Sequence, residues 1–350
     1  MDKKLILSSS PHIGSTFTTK RIMQSVVIAL VPATLASVIV FGLYPLVVIA
    51  LSIGSAVGAE YLYCKGSGQP ITIGDWSAVV TGLLLALNLP PVLPLFVPII
   101  GSVFAIIVVK MIFGGLGKNF ANPAITARIF LLLAFASYMT KFVAPVDYSQ
   151  GFFTAFTKYF HGFGVNIDAF TSATPLVEYE ASIALGKICP WCSFKSLLLG
   201  TVGGSMGEVS AIALILGGVY LIVTKVIDWK IPVIYLASIM LFTLLFYPSA
   251  SFVPTSILTG GVMLGAFFML TDYSTSPNTP LGVIIYATGA GLLTVIIRRF
   301  GGYPEGVSFA ILLMNLVAVI LDKYIVPVRF GQVKEKKSLF KKKEAKVEKV

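Results

Sequence analysis

Residues 22–41 read IMQSVVIALVPATLASVIVF, an apolar run with no Asp, Glu, Lys or Arg. At about 1.5 Å of rise per residue such a run, wound as a helix, matches a hydrocarbon core about 30 Å thick. Working outward, Gly, Pro and charge punctuation separates further runs at 45–63, 75–89, 95–113 and 122–140, then at 209–227, 231–247, 255–271, 281–297 and 306–325. The chain as a whole is 56% hydrophobic and 12% charged, with a mean hydropathy of +0.91. That is more apolar surface than a water-soluble core of 350 residues hides, so a bilayer must act as solvent. The expected fold is an all-α polytopic membrane protein of about ten transmembrane helices in two five-helix repeats. A mixed-polarity stretch at 141–208 divides the repeats, 22–140 and 209–325.

The net charge of +11 sits mainly at the two ends. Residues 334–349 hold eight Lys against three Glu, and residues 2–21 hold four basic side chains against one acidic, together +8 of the +11. Such tails read as cytoplasmic segments facing anionic lipid, and the distribution argues against nucleic acid as a partner. Residues 1–21 lack an apolar stretch of their own, so the first span is read as the anchor rather than as a cleaved signal. With 1–21 and 326–350 in the cytoplasm and the spans alternating, 19 of the 26 Lys and Arg fall on the cytoplasmic face. Six (Lys141, Lys158, Lys187, Lys195, Arg298, Arg299) fall outside, and Arg128 falls within a span. The expected setting is a cell (inner) membrane, with 141–208 extracytoplasmic.

Two short matches join the halves: Val80-Thr81-Gly82 with Leu258-Thr259-Gly260, and Phe113-Gly114-Gly115 with Phe300-Gly301-Gly302, each of the latter pair preceded by basic residues. Halves of five spans each must run in opposite senses, which makes the repeat inverted. The third and eighth spans look short and run into Asn88-Leu89-Pro90-Pro91 and into 271–277, TDYSTSP. These signals read either as interrupted helices turned toward a central site or as plain helix ends beside a water-exposed turn.

The most informative polar stretch is 168–176, DAFTSATPL. Its D-x-x-[ST]-x-A-T pattern, taken by itself, is an acidic residue and a hydroxyl-rich turn before a proline, and a capping or Asx-turn role accounts for it. The stretch also resembles the site at which flavin transferases join FMN to Thr through a phosphoester in the RnfD and NqrB families. Ser9-Ser10-Pro11-His12, Phe113 through Gly117 with Asn122-Pro123-Ala124, Gly203 through Glu208, and Thr271-Asp272 through Ser276-Pro277 resemble RnfD as well, so the likeness covers nearly the whole chain. Ser172 stands where NqrB-like sites have Gly.

The resemblance implies that Thr174 carries FMN covalently, with Asp168, Thr171, Ser172 and Ala173 as the frame a flavin transferase reads. It further implies the membrane-embedded RnfD component of an Rnf-type complex that relays electrons between ferredoxin and NAD while Na⁺ or H⁺ moves outward. Other subunits, flavin-bearing and iron–sulfur, would supply the ferredoxin and NAD sites, and a second, non-covalent flavin such as riboflavin would lie among the helices. The rival from another class is a stand-alone inverted-repeat transporter or channel without a redox cofactor; a third is a membrane scaffold within the same complex.

Cys189-Pro190-Trp191-Cys192 has redox or half-zinc spacing, but no second pair accompanies it, and His12 and His161 are the only histidines. It reads as an incidental or structural pair, and Cys64 as a buried thiol; three Cys do not ligate a four-Cys iron–sulfur cluster. The run 114–119, GGLGKN, lacks phosphate-loop spacing, and no metal-ligand cluster or dinucleotide fingerprint is visible. Arg128 lies about 9 Å into its span by helical rise, where it either snorkels to the surface or belongs to a central polar site with Asn315, its partner in the repeat offset, and Asp272. Asp272 and Glu208, near span ends, read first as solvated loop residues.

Overall fold

The computed structural model describes residues 18–146, 148, 171–172, 194–200, 203–208, 210–247, 252–301 and 306–325. The helices in chain order are α1 (Thr19–Phe41), α2 (Tyr44–Ser67), α3 (Ser77–Leu87), α4 (Phe96–Phe104) continuing as a π-helix (Ala105–Met111), α5 (Pro123–Ala134) and α6 (Ala136–Met139). After the central stretch come α7 (Phe194–Leu199), α8 (Ala211–Val223), α9 (Lys230–Phe246) and α10 (Phe252–Leu258). The series ends with α11 (Val262–Leu264) continuing as a π-helix (Gly265–Met269), α12 (Pro280–Phe300) and α13 (Val307–Tyr324). Among the described residues the only sheet is a two-stranded one, β1 (Phe142–Val143) with β2 (Thr171–Ser172). The chain is an all-α, multi-pass membrane protein.

Helix starts follow from side chains that take up orphan amides. Thr18 accepts from Arg21 N, Asn122 from Ala124 N, Ser210 from Ala213 N and Thr279 from Gly282 N. Pro123 and Pro280 occupy the first helical turn, where the missing N–H costs nothing.

Four helices, α1, α2, α12 and α13, are long and apolar enough to cross a membrane unaided. The pair α10 and α11 passes the same test only when its two arms, bent by 56° at a break, are taken together, and with five shorter apolar helices the described residues hold ten apolar segments that correspond to the ten runs in the sequence. The differences are local. The run 122–140 divides at Phe135 into α5 and α6. The run 75–89 contracts to α3, whose 11 residues rise only about 16 Å. The run 255–271 breaks at Thr259–Gly261, where Gly260 and Gly261 take φ of 65° and 73°, a left-handed backbone that glycine adopts without strain.

Packing follows one pattern in both halves. In the first, α2 packs on α3 and α4, and α4 on α5; in the second, α9 packs on α10 and α12, and α12 on α13. Across the halves α1 meets α8 and α5 meets α13, first helix on first and fifth on fifth. The start of α1 (Ile22, Met23, Val26) and the end of α8 (Leu221) line one cleft, so these two helices run in opposite senses, as an inverted repeat requires. The first of the two short sequence matches does not share a conformation: Thr81 and Gly82 lie inside α3, whereas Thr259 and Gly260 follow the end of α10. The α1–α8 seam depends on Gly217, because a Cβ built there would sit 2.1 Å from the Ala29 carbonyl oxygen.

Candidate functional site

Three polar regions stand out against the apolar bundle. The first is the anchor of the central stretch. β1 follows α6 directly and pairs antiparallel with β2, Phe142 opposite Ser172 and Val143 opposite Thr171. Val143 and Val146 pack with Phe41 and Val92, and Val146 N donates to Val40 O at 2.9 Å. The backbone of Thr171-Ser172 is thereby fixed at the end of the bundle where α1 finishes. Asp168, Ala173 and Thr174 lie outside the described residues, as do His12, His161, Cys189 and Cys192. Cys64 is buried, 3.8 Å from Thr72 Oγ1.

The second region is the middle of the bundle. Residues 203–208, the end of the central stretch, dip back into it, and their amides take carbonyls at and just past the end of α3: Met206 N donates to Leu89 O at 3.0 Å and Gly207 N to Leu87 O at 2.6 Å. The same segment delivers Glu208, whose side chain is only 7% exposed, to within 3.8 Å of Arg128 Nη2. Arg128 Nη1 donates to Ser308 Oγ at 2.7 Å. Arg128 therefore does not snorkel, and Glu208 is not a solvated loop residue: a carboxylate and a guanidinium that must leave water settle against each other. The repeat partner Asn315 bonds elsewhere, accepting from Tyr286 Oη at 2.6 Å.

Arg298 is a second departure, since charge counting puts it outside with Arg299. It is buried and closes the end of α10, Nη1 donating to Ser256 O at 2.7 Å and Nη2 to the Thr259 and Gly260 carbonyls at 3.0 Å each. A helix broken inside a bilayer leaves carbonyls that water cannot reach, and the guanidinium fork satisfies several at once.

The third region is an open cleft where α1 begins, with a cavity volume of about 70 Å³. Its apolar walls include Met23, Leu84, Phe267 and Phe268; its polar groups include Ser77, Lys110, Asn119, Asn122 and Asp272. Both π-helices contribute to it, Lys110 from the first and Phe267 and Phe268 from the second. Lys110 Nζ lies 2.7 Å from Glu60 Oε2 and 2.6 Å from Ser77 Oγ. Ser77 in turn donates to Asp75 Oδ1. Asp272 is partly buried rather than solvated: Asn122 Nδ2 approaches its Oδ2 at 3.4 Å, and Ser274 donates from N and Oγ to its Oδ1. Burial pushes the Asp272 carboxyl above the usual carboxylate range, against the opposing pull of the Ser274 hydrogen bonds. Asn119 Oδ1 is buried with no hydrogen-bond partner among the described residues, an orphaned acceptor of the kind a polar ligand satisfies.

Glu60 and Lys110 are the site residues that pattern reading missed. The available signal is two unlike charges, each inside an apolar run, 45–63 and 95–113, and each rare enough in a span to demand a partner.

The NQR2, RnfD, RnfE family model matches residues 6–331. The D subunit of the Na⁺-translocating ferredoxin:NAD⁺ oxidoreductase complex of Acetobacterium woodii is 45% identical over 95% of this chain and 97% of its own length. The D subunit of the proton-translocating ferredoxin:NAD⁺ oxidoreductase complex of Clostridium ljungdahlii is 41% identical over 93% and 96%. That of the ion-translocating oxidoreductase complex of Escherichia coli (strain K12) is 37% identical over 94% and 99%. The chain belongs to the NQR2, RnfD, RnfE family.

Proposed function

We propose that this chain is the D subunit of an ion-translocating ferredoxin:NAD⁺ oxidoreductase complex and carries FMN esterified to Thr174. The observation that carries the reading is near full-length similarity to relatives bearing that description, at 45% and 41% identity. The attachment-type pattern at 168–174 adds to it. Those relatives are named for both Na⁺ and proton translocation, so either ion fits the reading. The transporter reading has the bent α10–α11 pair in its favour, but the relatives named above carry the complex's description, and Arg298 already bonds the carbonyls at the break.

In this reading Thr174 holds the FMN phosphate, and Asp168, Thr171, Ser172 and Ala173 form the frame for the flavin transferase. Esterification removes the Thr174 hydroxyl proton and one phosphate hydroxyl, so the chain gains the mass of FMN less one water. The bound flavin supplies a centre that takes one or two electrons while its tether prevents loss. The termini are cytoplasmic and the 141–208 loop extracytoplasmic, apart from residues 203–208 that return into the bundle, which the excess of Lys and Arg at the chain ends supports. The cleft suits the second, non-covalent flavin: its apolar walls take a flat ring, and Asn119 Oδ1 and Lys110 Nζ offer an acceptor and a donor at its edge. Flavin-bearing and iron–sulfur subunits are the partners, together with lipid.

The test is Thr174→Ala. Denaturing gels of the unsubstituted chain should fluoresce and those of the variant should not, with the added mass mapping to residues 168–176. A variant that still fluoresces sinks the assignment. Colourless, monomeric protein that moves a solute in vesicles would return the transporter reading to first place.

A further inference from the structure

Lys110 is buried, yet its hydrogen bonds lead out of the protein. The ammonium lies 2.6 Å from Ser77 Oγ, and the Ser77 hydroxyl donates to Asp75 Oδ1 at 2.5 Å. Lys110 and Ser77 line the cleft, whereas Asp75, on the turn Ile73–Asp75 that precedes α3, is half-buried between exposed Gly74 and Trp76. Three polar side chains in unbroken contact thus join the cleft to the edge of the bundle, on the side that is cytoplasmic in the topology proposed above.

Charge balance alone asks for less. Glu60 Oε2, 2.7 Å from Lys110 Nζ, already neutralises the ammonium, and Glu60 Oε1 is met by the Thr72 hydroxyl, an alcohol rather than an acid. Asp272, the other charged group in the cleft wall, is bonded by Asn122 and Ser274, neither of which titrates. Among the described residues, the Ser77 arm is the one that carries Lys110 to a second titratable group beside water. An ammonium has three N–H groups, of which Glu60 and Ser77 take two; the third is left for a ligand of the cleft.

We propose that Lys110 is the proton donor to the ligand of the cleft, and that Ser77 and Asp75 return protons to it from cytoplasmic water. The inference rests on the cleft flavin proposed above, a ring that gains protons as it gains electrons. In the transfer one N–H bond breaks at Lys110 Nζ and one forms on the ligand, with the electrons drawn from the ferredoxin side of the complex. The amine left at Lys110 accepts the Ser77 hydroxyl proton, Ser77 takes one from the Asp75 carboxyl, and Asp75 takes one from water. Every transfer follows a hydrogen bond already in place, and the hydroxyl has only to rotate. A neutral Lys110 leaves the buried Glu60 carboxylate without its cation, which drives the refilling.

Two substitutions cut the chain without touching the Lys110–Glu60 pair. Ser77→Ala deletes the hydroxyl and keeps the backbone amide that bonds Asp75. Asp75→Asn keeps an oxygen for both Ser77 bonds but cannot carry a proton. The purified complex is reduced with titanium(III) citrate in a stopped-flow spectrometer, in light and heavy water, and the acid-released flavin of each preparation is counted. The absorbance phase that Asn119→Ala lacks identifies the flavin of the cleft.

That phase is expected to be slower in heavy water, and to slow by about tenfold or more in Ser77→Ala and in Asp75→Asn, with flavin content intact. Ser77→Ala should leave the midpoint potential of this flavin unmoved, since a relay changes a rate and not an equilibrium. An unchanged rate in either variant, or the absence of a solvent isotope effect, overturns the proposal and leaves the cleft flavin standing. Loss of the flavin or a shifted potential in Ser77→Ala overturns it too, because Ser77 would then be a binding group. Full flavin and no missing phase in Asn119→Ala would remove the ligand from the cleft, and both readings would fall together.

Discussion

The ammonium of Lys110 lies 2.7 Å from the carboxylate of Glu60, and the two side chains are 2% and 0% exposed. Neither charge has water to turn to, so each depends on the other. Glu60 Oε1 is satisfied separately by the Thr72 hydroxyl, and Lys110 spends a further donor on Ser77. Replacing Lys110 alone with Met strands a buried carboxylate and is expected to cost about 3–5 kcal/mol, read as a fall in thermal stability in detergent. The double change Glu60→Leu with Lys110→Met should recover most of that loss, since a well-packed apolar pair often replaces a buried ion pair without penalty. A double variant as unstable as Lys110→Met would mean that the pair is not the source of the effect.

Arg298 and Arg299 are neighbours with opposite fates. Arg298→Met releases the carbonyls of Ser256, Thr259 and Gly260 inside the bundle, and losing hydrogen bonds from a charged donor costs about 1.5–3 kcal/mol. Arg299 is exposed, its guanidinium 5.3 Å from the centre of the Tyr247 ring, and Arg299→Ala should change stability by no more than about 1 kcal/mol. Thermal unfolding of the two variants side by side checks the contrast.

The seam between the halves gives a steric prediction. Gly217→Val puts a branched side chain where even a single methyl would meet the Ala29 carbonyl at 2.1 Å. The variant is expected to express poorly or to elute as aggregate in size-exclusion chromatography, whereas Gly54→Ala, with open space around it, should behave as the unsubstituted chain does.

The cleft makes a claim separable from the covalent one. Asn119→Ala should lower the flavin released by acid precipitation while leaving the fluorescent band on denaturing gels unchanged. Equal loss of both flavins would tie them to a single site and remove the cleft from the account.

Much of the fold was legible because bilayer thickness and helical rise fix how long an apolar run must be, and Pro and Gly mark where it stops. Asn122-Pro123 and Thr279-Pro280 sit at helix starts, whereas the interruption expected at 271–277 lies instead at Thr259–Gly261, inside the run, where two glycines take a left-handed backbone. Hydropathy averages over a window, and that hid the charged interior. Glu60 and Lys110 vanish into runs that remain apolar, and Glu208 looks like loop because the polarity around it does. Its burial depends on a backbone that re-enters the bundle after a long excursion, and on Arg128, 80 positions away. Asp168, Ala173 and Thr174 rest on the pattern of residues alone.

One consequence of the β1–β2 pairing concerns reach. Ser172 is stapled to Phe142 at the rim of the bundle, and Thr174 follows two positions later. Two residues stretch at most about 7 Å, which bounds how far Thr174 lies from that rim. On the proposed attachment at Thr174, the flavin would be held near the rim, and an electron partner would have to come to the end of the bundle where α1 finishes.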